Sequence, residues 1–221
     1  MMLCGAIVAC GLSYLHDIKD VFQRHAQFLP NNTSYFLFTD EVEFCKDQLQ
    51  DLHLDVSYMP ISLHDNSVHQ YNMLLTWGGA EFWPNFFDFD RVLIFQSDSG
   101  LLREGIEEFY PYDYIGAPLP ENHVAYYPYC CNGGLSLRNP RMMFEISQKY
   151  RWQANKGEDV YFAEMMVDNN IGNFPTREIA RKFSVETQFA LGTLGYHKPW
   201  GYLTEQQCQQ IYTQYNKVLK S

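Results

Sequence analysis

Continuous apolar runs alternate along this chain with stretches whose apolar residues recur at helical spacing. Leu3–Cys10 (LCGAIVAC), closed by Gly11 and Ser13, reads as a strand buried on both faces. From about Ser13 to Leu29, apolar Leu15, Ile18, Val21, Phe22 and Phe28 fall near a 3.6-residue period. They predict a helix, stopped by Pro30 and the Asn31–Asn32 pair. SYFLFTD is a second strand ending on Thr39 and Asp40, EFCKDQLQDL a second helix and LDVSYMPI a third strand. A longer helical pattern runs from about Val68 to Phe82, and RVLIF (Arg91–Phe95) is a fourth, fully apolar strand. Strands alternating with helices predict an α/β fold whose central, mostly parallel sheet is flanked by helices and wound right-handed.

After Gly100 the pattern is less regular. PYDYIGAPLP reads as an extended crossing segment and CCNGGLSLRNP as loop, strand and loop. RMMFEISQKY and EDVYFAEMMVDNN are helices, HKPWGYL a loop and TEQQCQQIYTQYNKVL a last helix, with Thr204 and Gln207 in capping-box spacing. There is no internal repeat and no low-complexity segment.

With 221 residues, 46% of them hydrophobic, the chain can bury one sizeable core, and a single domain over 1–221 is expected. A net charge of -10 without a Lys/Arg run argues against nucleic acid and against an anionic membrane surface as partner. The opening MMLCGAIVACGLSYL has no basic flank and is too short to span a bilayer, so no membrane anchor is expected. Asn31–Asn32–Thr33–Ser34 holds overlapping glycosylation sequons but follows Pro30 and reads as a turn. The cysteines at 4, 10, 45, 130, 131 and 208 form no C-x-x-C pair, which argues against zinc. Bridging adjacent Cys130 and Cys131 would strain the backbone, so free thiols in a reducing, cytoplasmic setting are expected.

Candidate chemistry follows from the layout. In open α/β sheets, ligands sit beyond the carboxyl ends of the strands. Cys10, Thr39–Asp40 and Gln96–Ser99 all fall just past such ends and should share one rim. A carboxylate there, Asp98, suits a hard cation such as Mn²⁺ or Mg²⁺ shared with substrate phosphates. The same carboxylate also suits a turn or a helix N-cap.

RVLIFQSDSGLL, YPYDYIGAPLP, CCNGGLSLRNPRMM, GEDVYF and GYHKPW, in this order, resemble glycosyltransferases of the GT-A fold, a Rossmann-like architecture. The group most similar is the compact glycosyltransferase-like domains of bacteria and large DNA viruses, chloroviruses among them. The likeness covers roughly Tyr71 to Trp200; before Tyr71 only the strand–helix–strand layout agrees. It implies a metal-dependent, hexosyltransferase-like enzyme that moves a sugar from a nucleotide sugar, a UDP-sugar above all, to a glycan or glycoprotein hydroxyl in glycan biosynthesis. Residues 1–100 would form the nucleotide-binding half, and residues 101–221 the donor-sugar and acceptor half. For a viral member the compartment would be the host cytoplasm.

The resemblance also assigns residues. Gln96–Ser97–Asp98 stands where these enzymes carry an Asp-x-Asp metal motif. Asp98 would hold Mn²⁺ or Mg²⁺, while Gln96 replaces the first carboxylate and brings no charge. His197 would be a second metal ligand and Lys198 a phosphate contact. Asn132, Gly133 and Gly134 would pass under the donor sugar. Glu158 and Asp159 are the candidate catalytic acids, as acceptor base or sugar contact; as ordinary residues they would be first-turn acids favoured by the helix dipole. Ala9, Cys10, Tyr14, Asp40 and Asn72 would line the nucleoside pocket.

Two other classes compete. A metal-dependent phosphohydrolase of the haloacid-dehalogenase kind needs a nucleophilic Asp after its first strand, where this chain has VACG. A non-catalytic nucleotide-sugar-binding module fits Gln96 without strain.

Overall fold

The computed structural model describes residues 1–62, 68–120 and 131–216, with the backbone alone at 13, 14 and 214–216. Strand β1 (Leu3–Val8) leads through a short helix α1 (Leu12–Leu15) to α2 (Ile18–Ala26). The expected single helix from Ser13 to Leu29 is therefore two. Asp17 leaves helical backbone (φ -113, ψ 16) and starts afresh, its carbonyl accepting from Val21 N. Next come β2 (Ser34–Thr39), α3 (Val42–Leu49) and β3 (Asp55–Pro60). Between α2 and β2, Thr33 N and Oγ1 both bond to Pro30 O, making a turn of the sequon segment.

The long helix expected over Val68–Phe82 is also split, into α4 (Val68–Leu75) and α5 (Gly79–Phe82). At the break Gly78 N reaches back to Met73 O, and a Cβ on Gly78 would meet Leu74 O at 2.9 Å. Then follow β4 (Arg91–Phe95), β5 (Ser99–Leu101), β6 (Tyr114–Gly116) and β7 (Leu135–Arg138). Asn139 caps α6 (Pro140–Lys149), its Oδ1 accepting from Arg141 N and Met142 N, with Pro140 in the first turn where it costs no bond. The chain closes with α7 (Glu158–Asp168), α8 (Arg177–Phe183), β8 (Ser184–Val185), β9 (Gly195–His197) and α9 (Glu205–Asn216). Thr204 and Gln207 form the expected capping box.

The main sheet has the order β3-β2-β1-β4-β7-β6. The pairs β3–β2, β2–β1 and β1–β4 are parallel, and β7 runs against both its neighbours. The architecture is thus α/β, a mostly parallel six-stranded sheet flanked by helices and compatible with a Rossmann-like fold. Successive residues of β1 and β4 serve opposite faces, as a doubly covered sheet requires. Leu3, Ile7, Leu93 and Phe95 pack with α2 and Phe183, whereas Cys4, Ala6, Val92 and Ile94 pack with Trp83, Met143 and Phe162.

A second, three-stranded sheet, β5-β9-β8, springs from the end of β4. Its register sets Ser99 opposite His197 and Val185 opposite Tyr196. Cys4, Cys10, Cys45, Cys131 and Cys208 are buried and form no disulfide; Cys130 lies outside the described residues. Among the described residues no helix is long and apolar enough to cross a membrane.

Candidate functional site

After β1 the chain steps outward to β2 and β3, then crosses to β4 on the other side of β1. The order therefore reverses between β1 and β4, and the crevice beyond their carboxyl ends is where such sheets place ligands. Ala9 and Cys10 follow β1 there, and Ala9 N donates to Phe38 O. Asp40 follows β2 and is exposed; its Oδ1 accepts from Gly11 N at 2.8 Å, fixing the turn after β1. Gln96–Ser97–Asp98 follows β4. Because β7 is antiparallel to β4, its preceding segment Asn132–Gly134 arrives at the same end, with Gln96 N donating to Gly134 O at 2.9 Å. Tyr14 lies in α1, its side chain outside the described residues.

The β5–β9 pairing brings His197 to Asp98 across 99 positions of sequence (197 − 98). His197 Nε2 lies 3.2 Å from Asp98 Oδ1 and 3.2 Å from Gln96 Oε1. Its Nδ1 lies 3.0 Å from Oε1 of Glu186, which follows β8. That same Oε1 accepts from Asn132 Nδ2 at 3.2 Å, while Asn132 Oδ1 accepts from Gly134 N at 2.7 Å. Gly134 has no room for a side chain, since a Cβ would stand 2.2 Å from His197 Nε2.

Burial works against charge on His197, but Asp98 and Glu186 on its two sides outweigh burial and raise its pKa to about 9. Burial likewise opposes charge on Asp98, yet His197 and then Lys198 hold its carboxyl below the usual range. Lys198 is exposed, adopts left-handed backbone (φ 43) and donates its N–H to Asp98 O.

The turn is braced from behind. Arg24 of α2 donates to Ser97 O and Ser99 O, and the buried His25 pairs with Ser99 Oγ. Beside Ser97 and Asp98 opens a cleft of roughly 360 Å³, walled also by His16, Asp17, Arg24, Tyr196 and Trp200. A larger groove of roughly 700 Å³ along α2 contains none of the strand-end residues.

Around this cluster Glu186 Oε2 and the Tyr71 hydroxyl are buried without a hydrogen-bond partner, and Asp98 Oδ1 has only the ring of His197 beside it. Tyr71, on α4, lies close enough to Glu158 and Gln96 for both to act on it, though burial does most to raise its pKa. Orphaned buried acceptors are uncommon in folded proteins and call for a partner. Among the described residues no group of three or more His, Cys, Asp and Glu is arranged to hold a metal ion. The two carboxylates lie against opposite nitrogens of one ring, so they do not converge. One carboxylate, one imidazole nitrogen and one amide oxygen do converge. Neighbouring corners of an octahedral shell with bonds near 2.1 Å stand about 3.0 Å apart, close to the spacings around Nε2. With its Nε2 proton displaced, His197 would join Asp98 and Gln96 in a donor set suited to Mn²⁺ or Mg²⁺, which leave remaining positions to water and phosphate.

The remaining sequence candidates sit on α7. Glu158 is 2% exposed, and both its oxygens are taken by Arg138, at 2.5 and 2.9 Å. Asp159 is half-buried; burial first and then the charge of Glu158 raise its pKa to about 6. Asn72 is buried on α4, and its Oδ1 accepts from Glu158 N, capping α7.

A family model described as a protein of unknown function, DUF5672, matches residues 53–202. The chain belongs to DUF5672. The DUF5672 match takes in Gln96, Asp98, Asn132–Gly134, Asp159, Glu186 and His197–Lys198, and leaves out β1 and β2. No curated protein matches the chain.

Sequence reasoning passed over Glu186, Arg24 and Tyr71. SVETQ and FQRHA carry no motif spacing. Only the short strands β8 and β9, each below the length at which a hydrophobic period can be read, bring Glu186 to His197.

Proposed function

We propose that this DUF5672 chain is a GT-A-type glycosyltransferase that moves a sugar from a nucleotide sugar, in the simplest case a UDP-sugar, to an acceptor hydroxyl. The observation that carries this reading is the meeting of Asp98 Oδ1, Gln96 Oε1 and His197 Nε2 within 3.2 Å of the ring nitrogen, at the strand ends where the sheet order reverses. Asp98 and His197 would hold Mn²⁺ or Mg²⁺, with Gln96 as a neutral third donor. When bound, the ion supplies positive charge to the departing diphosphate. Lys198, exposed and next in sequence to His197, adds a second positive charge on the same side.

The nucleoside would lie against Ala9, Cys10 and Asp40, and the donor sugar over Asn132–Gly134. Asn132 Oδ1 holds Gly134 N, so this segment is preformed rather than ordered by the ligand. Of the two acids on α7, Asp159 is the one with a carboxylate not taken by Arg138. Its pKa of about 6 suits a group that takes the acceptor proton near neutral pH. Glu158 serves Arg138 and acts on the reaction only through the charge it lends to its neighbour.

The rival reading, a binding module that holds nucleotide sugars without turnover, draws on Gln96 standing where a carboxylate would strengthen cation binding. Incubation with UDP-glucose and Mn²⁺ separates the two. The enzyme releases UDP, by transfer to an acceptor or slowly to water, and Asp159→Asn slows that release by ~10²–10⁴-fold without weakening UDP binding. UDP bound but never released from UDP-sugars would establish the binding module instead.

A further inference from the structure

Glu186 is 4% exposed, and among the described residues its ion-pair partner is the imidazole of His197 rather than a Lys or Arg. A carboxylate so placed is costly unless it is paired and hydrogen-bonded. Its Oε1 meets His197 Nδ1 at 3.0 Å and Asn132 Nδ2 at 3.2 Å, while Oε2 is buried with no partner. The parallel β8–β9 register, Val185 against Tyr196, brings Glu186 alongside His197. The opposite nitrogen, Nε2, then points to Gln96 Oε1 and Asp98 Oδ1. A ring with one nitrogen held by a carboxylate presents the other in a fixed direction and a fixed protonation pattern, which is how histidine ligands are oriented for metals. Gly134 closes the remaining freedom, since its backbone packs directly against Nε2.

We propose that Glu186 is the positioning residue of the candidate cation site, holding the Nδ1 proton of His197 so that Nε2 faces Asp98 and Gln96. The claim rests on the cation site proposed above. Through Asn132 the same carboxylate ties the segment under the donor sugar to His197, so the two halves of the pocket share one anchor.

Mn²⁺ binding in the absence of any nucleotide, followed by the electron paramagnetic resonance signal of the free ion, tests it. His197→Ala, Glu186→Leu and Glu186→Gln are compared with the parent, and both Glu186 changes are repeated in the His197→Ala background. Glu186→Leu is expected to weaken Mn²⁺ binding by ~10–100-fold, and Glu186→Gln, whose amide oxygen still accepts from Nδ1, by less. In the His197→Ala background neither change should weaken it further. Parent-like Mn²⁺ affinity in both Glu186 variants overturns the positioning role. An equal loss with and without His197 overturns it too, because Glu186 would then act on the ion directly. His197→Ala binding Mn²⁺ like the parent, or a parent that binds none, instead removes the proposed cation site. In that case the nitrogen-15 spectrum of the metal-free protein decides the positioning claim. The Nδ1 proton of His197 should be held against exchange in the parent, held less well in Glu186→Gln and lost in Glu186→Leu; identical spectra refute it. Should Glu186→Leu not fold, the Gln variant carries the comparison alone.

Discussion

Two buried acidic clusters lie close together in this molecule and are built in opposite ways. Around Glu158, every strong group is answered. Arg138 takes both carboxylate oxygens, donates from Nε to Ser136 Oγ, and lies 4.5 to 5.9 Å from the rings of Tyr114, Phe162 and Trp83. Around His197, acceptors outnumber donors: one ring nitrogen faces both Asp98 Oδ1 and Gln96 Oε1, and Glu186 keeps one buried oxygen without a partner. The first cluster is complete without anything else and serves the fold. The second is incomplete, sits where the sheet order reverses, and is the one we propose takes up a cation.

The comparison is broken most directly through Arg138. Arg138→Met leaves Glu158 buried and unpaired, and is expected to cost about 3–5 kcal/mol in urea unfolding. Asp98→Asn should cost less, about 1–3 kcal/mol, because His197 loses one carboxylate partner but keeps Glu186. Similar losses in the two variants would erase the distinction between a cluster that serves the fold and one that serves a ligand.

Adjacent glycines sharpen the contrast. A Cβ on Gly133 would stand 2.1 Å from Glu158 Oε1, and one on Gly134 would stand 2.2 Å from His197 Nε2. Gly133→Ala should therefore destabilise by about 1–3 kcal/mol, the usual cost of overpacking. Gly134→Ala should weaken Mn²⁺-dependent UDP binding about tenfold or more by displacing the ring. Measuring melting and UDP affinity on both variants tests the pair; the reverse pattern would contradict it.

The last test is a pH dependence. Asp159 has a pKa near 6 in the folded chain, against about 3.9 unfolded. Between those values the folded state binds more protons, so stability falls as pH rises from about 4 to about 6 and is flat above. Asp159→Asn should remove this component, read as the difference between parent and variant unfolding curves across that window. An unchanged difference would mean that the carboxyl is not held up by burial and Glu158.

Much of the fold was legible because long apolar runs leave little choice. LCGAIV and RVLIF are buried on both faces, and the helices between them follow from spacing and stops. Even their breaks were not. The periods continue through Asp17 and Gly78, where backbone geometry rather than side-chain pattern ends each helix. The second sheet was invisible for another reason. Its strands are two or three residues long, and their pairing is set by a contact between distant segments. The helix Arg177–Phe183, capped by Thr176, was also passed over, since seven residues give barely two turns of pattern. At the site, Asp98 was readable as a carboxylate after a buried strand, and His197 only through its family-like setting. Glu186 carries no local signature at all; only the β8–β9 register reveals it. Glu158 and Asp159, adjacent in sequence, were separated by Arg138, a residue twenty positions before Glu158 whose partner no spacing rule names.

Calorimetric titration with UDP, with and without Mn²⁺, on the parent and on Asp98→Asn bears most directly on the claim that the incomplete cluster is a cation-assisted nucleotide-sugar site. Mn²⁺ should strengthen UDP binding to the parent, and the variant should keep its fold while losing ~10–100-fold of the metal-dependent affinity. UDP binding that is absent from the parent, or indifferent to both Mn²⁺ and Asp98, would contradict it.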